Sequence, residues 1–319
     1  VKNDNENTDH GLRHGGTWDP HEPFYAPKEY KALYPEHYQG AHFDWPRGAV
    51  EESEEAIAHC RCQYQAVVSM CDHNLGRILD LMDRYDMWKD TMLIVGTDHG
   101  FLLAEHQYWG KNQMPYYNEI ANTPLFIWDP RSRIKGEKRQ ALVQMIDWAP
   151  TLLSYFGKKV PGDMQGHDLA DTIRSDKRVR DYAIFGVFSG HVNITDGSYV
   201  YMRAPLPKKA NDIYNYTLMP LHMNQRFTVG ELRTAQLTEP FSFTKGCRLL
   251  KIKAKDKFKV GRFGTLLFDI RTDPEERYPV KDSETEKRMC KAMIEEMRKN
   301  DSPKEQFERL GLHKEEDGQ

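Results

Sequence analysis

Between Glu51 and Tyr85 apolar residues recur at steps of three and four: Ile57, Cys60, Tyr64, Val67, Cys71, Leu75, Ile78, Met82 and Tyr85. Charged residues fill most of the gaps, which is the pattern of an amphipathic helix. About nine turns is long for one globular helix, so a break is expected near Asn74-Leu75-Gly76. Short continuous apolar runs follow at Thr91 to Val95 and Pro124 to Trp128, each ending in polar or turn residues. Runs of that kind read as strands buried on both faces, as in a parallel sheet. In "IDWAPTLLSYFG", Asp147 is placed to cap a helix, Pro150 lies in its first turn and Gly157 ends it.

The pattern changes near Asp181. "YAIFGVF", "HVNITDG", "SYVYMRAP", "RLLKIKA" and "GTLLFDI" are short, rich in β-branched and aromatic residues, and separated by Gly, Pro and Asp turns. They predict a small antiparallel sheet. Ser283 and Glu286 form a capping box for a final helix with Met289, Met293 and Met297 on its apolar face. The expected class is therefore α/β, a parallel-rich sheet flanked by helices with a smaller antiparallel C-terminal subdomain. Residues 1–17 read as a flexible N-terminal segment, 18–177 as the α/β domain and 178–319 as the subdomain with its C-terminal helix and tail.

Composition narrows the partners. The 319 residues carry 45 Lys and Arg against 48 Asp and Glu, a net charge of −3. Nothing in that balance recruits nucleic acid or an anionic membrane. No apolar run reaches the roughly 18 residues of a membrane span, and the first sixteen residues lack a signal-peptide core, so a cytoplasmic location is expected. The five cysteines show no paired framework of spacings, which points to free thiols. Sheet edges left exposed would favour a homo-oligomer.

Chemistry concentrates in "TMLIVGTDHGFLLAEHQYWGK", where an apolar strand ends at Gly96 and Asp98, His99, Glu105, His106 and Lys111 crowd behind it. A carboxylate and an imidazole on adjacent residues can reach one divalent cation where the backbone turns sharply, and Gly96 and Gly100 permit such a turn. Lys111 could then face an anion bound to the metal. The plainer reading of the same residues is a helix cap and a surface lysine. Upstream, Pro20, Pro23 and Pro27 stiffen a loop that presents His21.

These segments resemble the sulfatase family. The strand leading to Thr-Asp-His-Gly, then Ala-Glu-His, then Trp-Gly-Lys is similar to a sulfatase stretch. "WDPHEPFYAPKEY", "QAVVSMCDHNLGRILDLM", "QMIDWAPTLLSYFG" and "LLFDIRTDPEERYPV" match further family motifs in order. The resemblance implies the alkaline-phosphatase-like fold and a divalent metal, usually calcium, with Asp98 and His99 as ligands. It implies that Lys111 and His21 contact the sulfate ester and its leaving oxygen and that His106 lies close to substrate; Glu105 reads as a structural residue or one that supports its neighbours in the site. The family's paired aspartates and its Cys/Ser-x-Pro-x-Arg nucleophile motif do not occur in these residues. The expectation is thus the C-terminal part of a sulfatase catalytic domain plus its subdomain, inactive alone. Whether His10 or His14 could supply missing ligands stays open, a flexible terminus being the plainer reading.

The expected substrate is a sulfated small molecule or glycan. The alternatives are a phosphate or phosphonate ester hydrolase of the same superfamily, or a non-catalytic remnant of the fold. Tyr214, Tyr216 and His222, in the stretch Asn211 to Phe227, could pack on a sugar ring; a contact inside the subdomain is the plainer reading.

Overall fold

The computed structural model describes residues 11–13, 15–219, 221–222, 225–256 and 259–312. Most of the expected N-terminal segment, with His10 and His14, lies outside the described residues, as do Met223, Asn224 and the tail from residue 313.

After the proline loop come a short helix α1 (Lys28–Lys31), strand β1 (Gly48–Ala49) and the long helix α2 (Glu54–Arg84). Ser53 caps α2 by accepting from the Ala56 amide at 3.3 Å. The helix runs through Asn74-Leu75-Gly76 without the expected break. Gly76 faces open space and costs the helix only its propensity penalty of about 1 kcal/mol. Ile57, Cys60, Ala66 and Val67 bury against Phe24, Ala26 and Trp109, which fastens the proline loop to the helix.

Next come β2 (Leu93–Gly96), β3 (Leu102–Leu103), β4 (Tyr108–Gly110), helix α3 (Asn118–Ala121), β5 (Leu125–Trp128), α4 (Trp148–Tyr155) and α5 (Ala170–Ser175). The two apolar runs become β2 and β5, but they pair antiparallel, with Leu93 opposite Trp128 and Gly96 opposite Leu125. Among the described residues every strand pairing is antiparallel, including the β1-β4-β3 sheet. The parallel arrangement expected from the apolar runs is corrected here. An apolar run reports burial and carries no information on strand direction, which the connection decides. Even the burial is partial, since Phe126 on β5 is 67% exposed.

Pro150 lies in the first turn of α4, and Gly157 at φ +63 ends it, with the Lys158 amide donating to the Leu153 carbonyl at 2.8 Å. Asp147 does not cap this helix. Its fully buried carboxylate receives the Arg180 guanidinium at 2.5 and 2.6 Å and the amides of Gln144 and His167 at 2.7 and 2.8 Å. It joins three segments far apart in the chain.

The C-terminal part contains β6 (Ala183–Gly186), β7 (Val192–Thr195), β8 (Tyr199–Arg203), β9 (Tyr214–Thr217), helix α6 (Val229–Leu232), β10 (Gln236–Leu237), β11 (Leu250–Lys253), β12 (Leu266–Asp269), α7 (Ser283–Lys299) and α8 (Lys304–Leu310). The expected antiparallel sheet is present in the order β12-β8-β7-β6, with β10-β11-β9 beside it. Met289, Met293 and Met297 of α7 pack on Ile194, Tyr201 and Leu267. The cap of α7 is Asp282, one residue before the expected Ser283, accepting from the amides of Glu284 and Thr285 at 3.1 Å. The other sheet face, through Val200, Met202 and Phe268, shares a core with Leu102, Met114, Tyr117 and Ile120. The two parts of the chain are thereby packed together around β3 and α3. No helix among the described residues is long and apolar enough to cross a membrane.

Candidate active site

Strand β2 delivers Thr97, Asp98, His99 and Gly100 to a sharp turn. A Cβ on Gly100 would lie 1.8 Å from the Glu119 carbonyl oxygen, so only glycine permits this approach to α3. The Gly100 amide donates to the Ile120 carbonyl at 2.8 Å and holds the turn in place. Asp98 Oδ1 accepts from the His99 amide at 2.9 Å, and Asp98 Oδ2 lies 3.6 Å from His99 Nε2. His99 Nδ1 is 3.0 Å from the Gly100 carbonyl. A carbonyl only accepts, so Nδ1 carries hydrogen there and Nε2 is the nitrogen left beside the carboxylate.

An imidazole nitrogen beside a carboxylate 73% exposed could supply two ligands to a divalent cation. They do not complete a site: among the described residues no three His, Cys, Asp or Glu side chains converge to hold an ion. Tyr116 stands close enough that, after burial, the charge of Asp98 helps push its phenol upward.

A second constellation forms where the proline loop meets the end of β4. His21 Nδ1 lies 2.6 Å from the Glu22 carbonyl, so it donates there and Nε2 is left for other partners. Glu22 Oε2 is 3.4 Å from His21 Nδ1 and 3.7 Å from Lys111 Nζ. Lys111 also lies 5.9 Å from the centre of the Phe101 ring. Oε2 itself is buried and receives no hydrogen bond. Two groups 90 positions apart in the chain thus meet over one carboxylate. Beside them opens a cleft of about 690 Å³, lined by Trp18, Asp19, His21, Glu22, Tyr25 and Met70.

His106 is placed differently. Its residue has φ +53, its ring stacks on Tyr117 with centroids 3.7 Å apart, and its Nε2 lies 3.3 Å from both carboxylate oxygens of Glu119. Among the described residues no hydrogen bond or ion pair joins His106 to His21, Lys111, Asp98 or His99. Glu105 is structural, as expected: it receives Arg61 of α2 at 3.3 Å and the Leu103 amide. Tyr216 donates to Glu305 and packs on Phe241, while His222 pairs with Glu231 at 2.9 Å. Both are engaged inside the C-terminal part, the plainer of their two readings.

Sequence reasoning missed Glu22, although its place between two prolines and next to His21 was a usable signal. It also missed Glu276, which is 2% exposed and accepts from the Asn118 amide at 2.7 Å at the start of α3. Burial, aided by the charges of Glu119 and Asp273, pushes the Glu276 carboxyl up to about 8.

A lysine and a histidine set over one buried carboxylate oxygen, and an exposed Asp-His corner, are thus placed on a mixed α/β scaffold. Comparison with known proteins carries the reading further. The Sulfatase family model matches residues 14–158. An arylsulfatase of Clostridium perfringens is 28% identical over 202 residues, covering 55% of this chain and 41% of that protein. An N-acetylglucosamine-6-O-sulfatase of Bacteroides thetaiotaomicron is 33% identical over 113 residues, covering 35% of this chain and 20% of that protein. A solved Bacteroides thetaiotaomicron structure from work on the metabolism of multiple glycosaminoglycans superimposes with a TM-score of 0.59, at 18% identity, over 92% of this chain and 55% of that one. The last shows the fold. Residues 14–158 are thus similar to the sulfatase family, and the chain spans less than half the length of the two curated relatives.

Proposed function

We propose that this chain carries part of the active site of a sulfuric ester hydrolase, with Lys111 and His21 receiving the ester and Asp98 and His99 ligating a divalent cation, calcium. The observation that carries the reading is the convergence of His21 and Lys111 on Glu22 Oε2, at 3.4 and 3.7 Å. Both are donors that can carry positive charge, brought to one anionic oxygen, and a sulfuryl oxygen that reaches them would take over contacts that the carboxylate now makes. Lys111, fixed against Phe101 and only 15% exposed, offsets charge that grows on those oxygens. His21, its Nδ1 held by the Glu22 carbonyl, can turn Nε2 to the bridging oxygen and donate a proton as it departs. A bound cation would supply Lewis-acid stabilisation of the same developing charge.

His106 takes a supporting role: paired with Glu119 and stacked on Tyr117, it holds the turn that leads into β4, at whose end Lys111 lies. These 319 residues include no Cys/Ser-x-Pro-x-Arg, so the covalent nucleophile has to come from outside them. The substrate class proposed is a sulfated small molecule or glycan, in line with the N-acetylglucosamine-6-O-sulfatase relative. The test is hydrolysis of 4-nitrophenyl sulfate against 4-nitrophenyl phosphate, with calcium, by the full-length protein that contains this chain. Preference for sulfate supports the reading; preference for phosphate, or no turnover of either, overturns it.

A further inference from the structure

Away from the ester-binding groups, the segment before β1 meets the first turns of α2 in a chain of four ionisable side chains. Glu36 Oε1 lies 2.6 Å from His59 Nδ1, His59 Nε2 lies 3.2 Å from His42 Nδ1, and His42 Nε2 lies 3.1 Å from Asp44 Oδ2. His59 is 6% exposed, and the Tyr38 ring stacks on it at 4.4 Å. Gln63, one turn along α2, donates to the same Glu36 oxygen at 3.0 Å.

Counting protons along this chain leaves little freedom. Carboxylates only accept, so His59 Nδ1 and His42 Nε2 must each carry hydrogen. The two remaining nitrogens face each other, and one of them, but not both, must carry hydrogen. Three hydrogens on two imidazoles mean one shared positive charge. Removing a proton leaves a lone pair opposite a carboxylate or opposite the other imidazole; adding one sets two N–H groups against each other. Tyr38, stacked on His59, and the nearby thiols of Cys60 and Cys62 bring no positive charge to the pair. Burial pushes the Cys60 thiol, which lies near Asp44, up to about 12 and raises the Cys62 thiol near Glu36, so both stay neutral thiols.

The far end of the chain reaches the loop that carries His21 and Glu22. The Asp44 carbonyl accepts from the Phe24 amide at 2.9 Å, and Phe24, fully buried, is two residues after Glu22 and three after His21. We propose that His42 and His59 share one proton and act as positioning residues, fixing residues 36–44 on α2 and, through Asp44, the loop that carries His21 and Glu22. Only the catalytic consequence rests on the sulfuric ester reading; the positioning itself does not.

The experiment is amide hydrogen exchange of the full chain across pH 4.5 to 9.5, corrected for intrinsic exchange and read on peptides covering residues 19–27 and 36–46. Protection of both segments should pass through a maximum and fall about ten-fold on each side as one charge-assisted bond is lost. His42→Gln keeps a donor and an acceptor but cannot titrate, and His59→Gln does the same from the helix side. In either variant the profile should flatten to within about two-fold across the range. A flat wild-type profile, or the same maximum in both variants, overturns the proposal. Because exchange needs no turnover, a protein that fails to hydrolyse sulfate esters yet shows the maximum sinks the functional reading and leaves this one standing.

Discussion

Asp98 and His99 are neighbours in sequence, exposed at 73% and 31% of their side chains, and tied chiefly to each other. His21 and Lys111 lie 90 positions apart, and the lysine is 15% exposed with its charge set against a buried carboxylate oxygen. The first pair is cheap to form, and as two ligands it would leave a hard cation mostly to water. The second costs the fold a desolvated carboxylate, and in return it holds a cation in a fixed place where charge is screened least. Strength at a site comes from burial and convergence, and adjacency in sequence supplies neither.

The comparison can be broken first at Lys111. Lys111→Ala should lower kcat/KM for an aryl sulfate by about 100-fold in the full-length protein, as loss of one preorganised group on a developing oxyanion does. It should also destabilise the chain, because Glu22 Oε2 loses its cation, and Lys111→Ala combined with Glu22→Gln should recover part of that loss. Equal melting temperatures for the single and double variants would show that the contact is not coupled.

Glu276 sharpens the contrast as a buried carboxylate without a cation. The folded protein keeps its proton up to about 8, whereas the unfolded chain releases it near 4.5. Its contribution to stability is therefore fully present below pH 4.5 and is lost as pH rises to about 8. Glu276→Gln should be more stable than wild type by about 2 kcal/mol at pH 8.5 and indistinguishable below pH 4.5, measured by urea denaturation. A constant difference across pH would mean that the proton is not held.

Smaller effects belong to the exposed pair. Asp98→Ala should weaken calcium binding by about ten-fold in calorimetric titration, and unchanged affinity would remove Asp98 from the cation site. Without calcium the same substitution should leave stability within about 0.5 kcal/mol, as befits a carboxylate in water.

The sequence by itself determined what local spacing can encode. The apolar steps of α2, the glycines flanking Asp98 and His99, the methionine face of α7 and the short strands after Asp181 were all legible, because each depends on residues within a few positions of one another. The family motifs placed His21 and Lys111 as candidates before any contact between them was visible. Tertiary structure alone decided the rest. Strand direction in β2 and β5, the capture of Asp147 by Arg180 and the meeting of His21, Glu22 and Lys111 all join segments separated by 29 or more residues. Which carboxylate is paired and which is merely buried follows from that packing. Glu22 and Glu276 are the same residue type, and only the fold gave one a lysine and the other a neutral backbone amide beside two further acids.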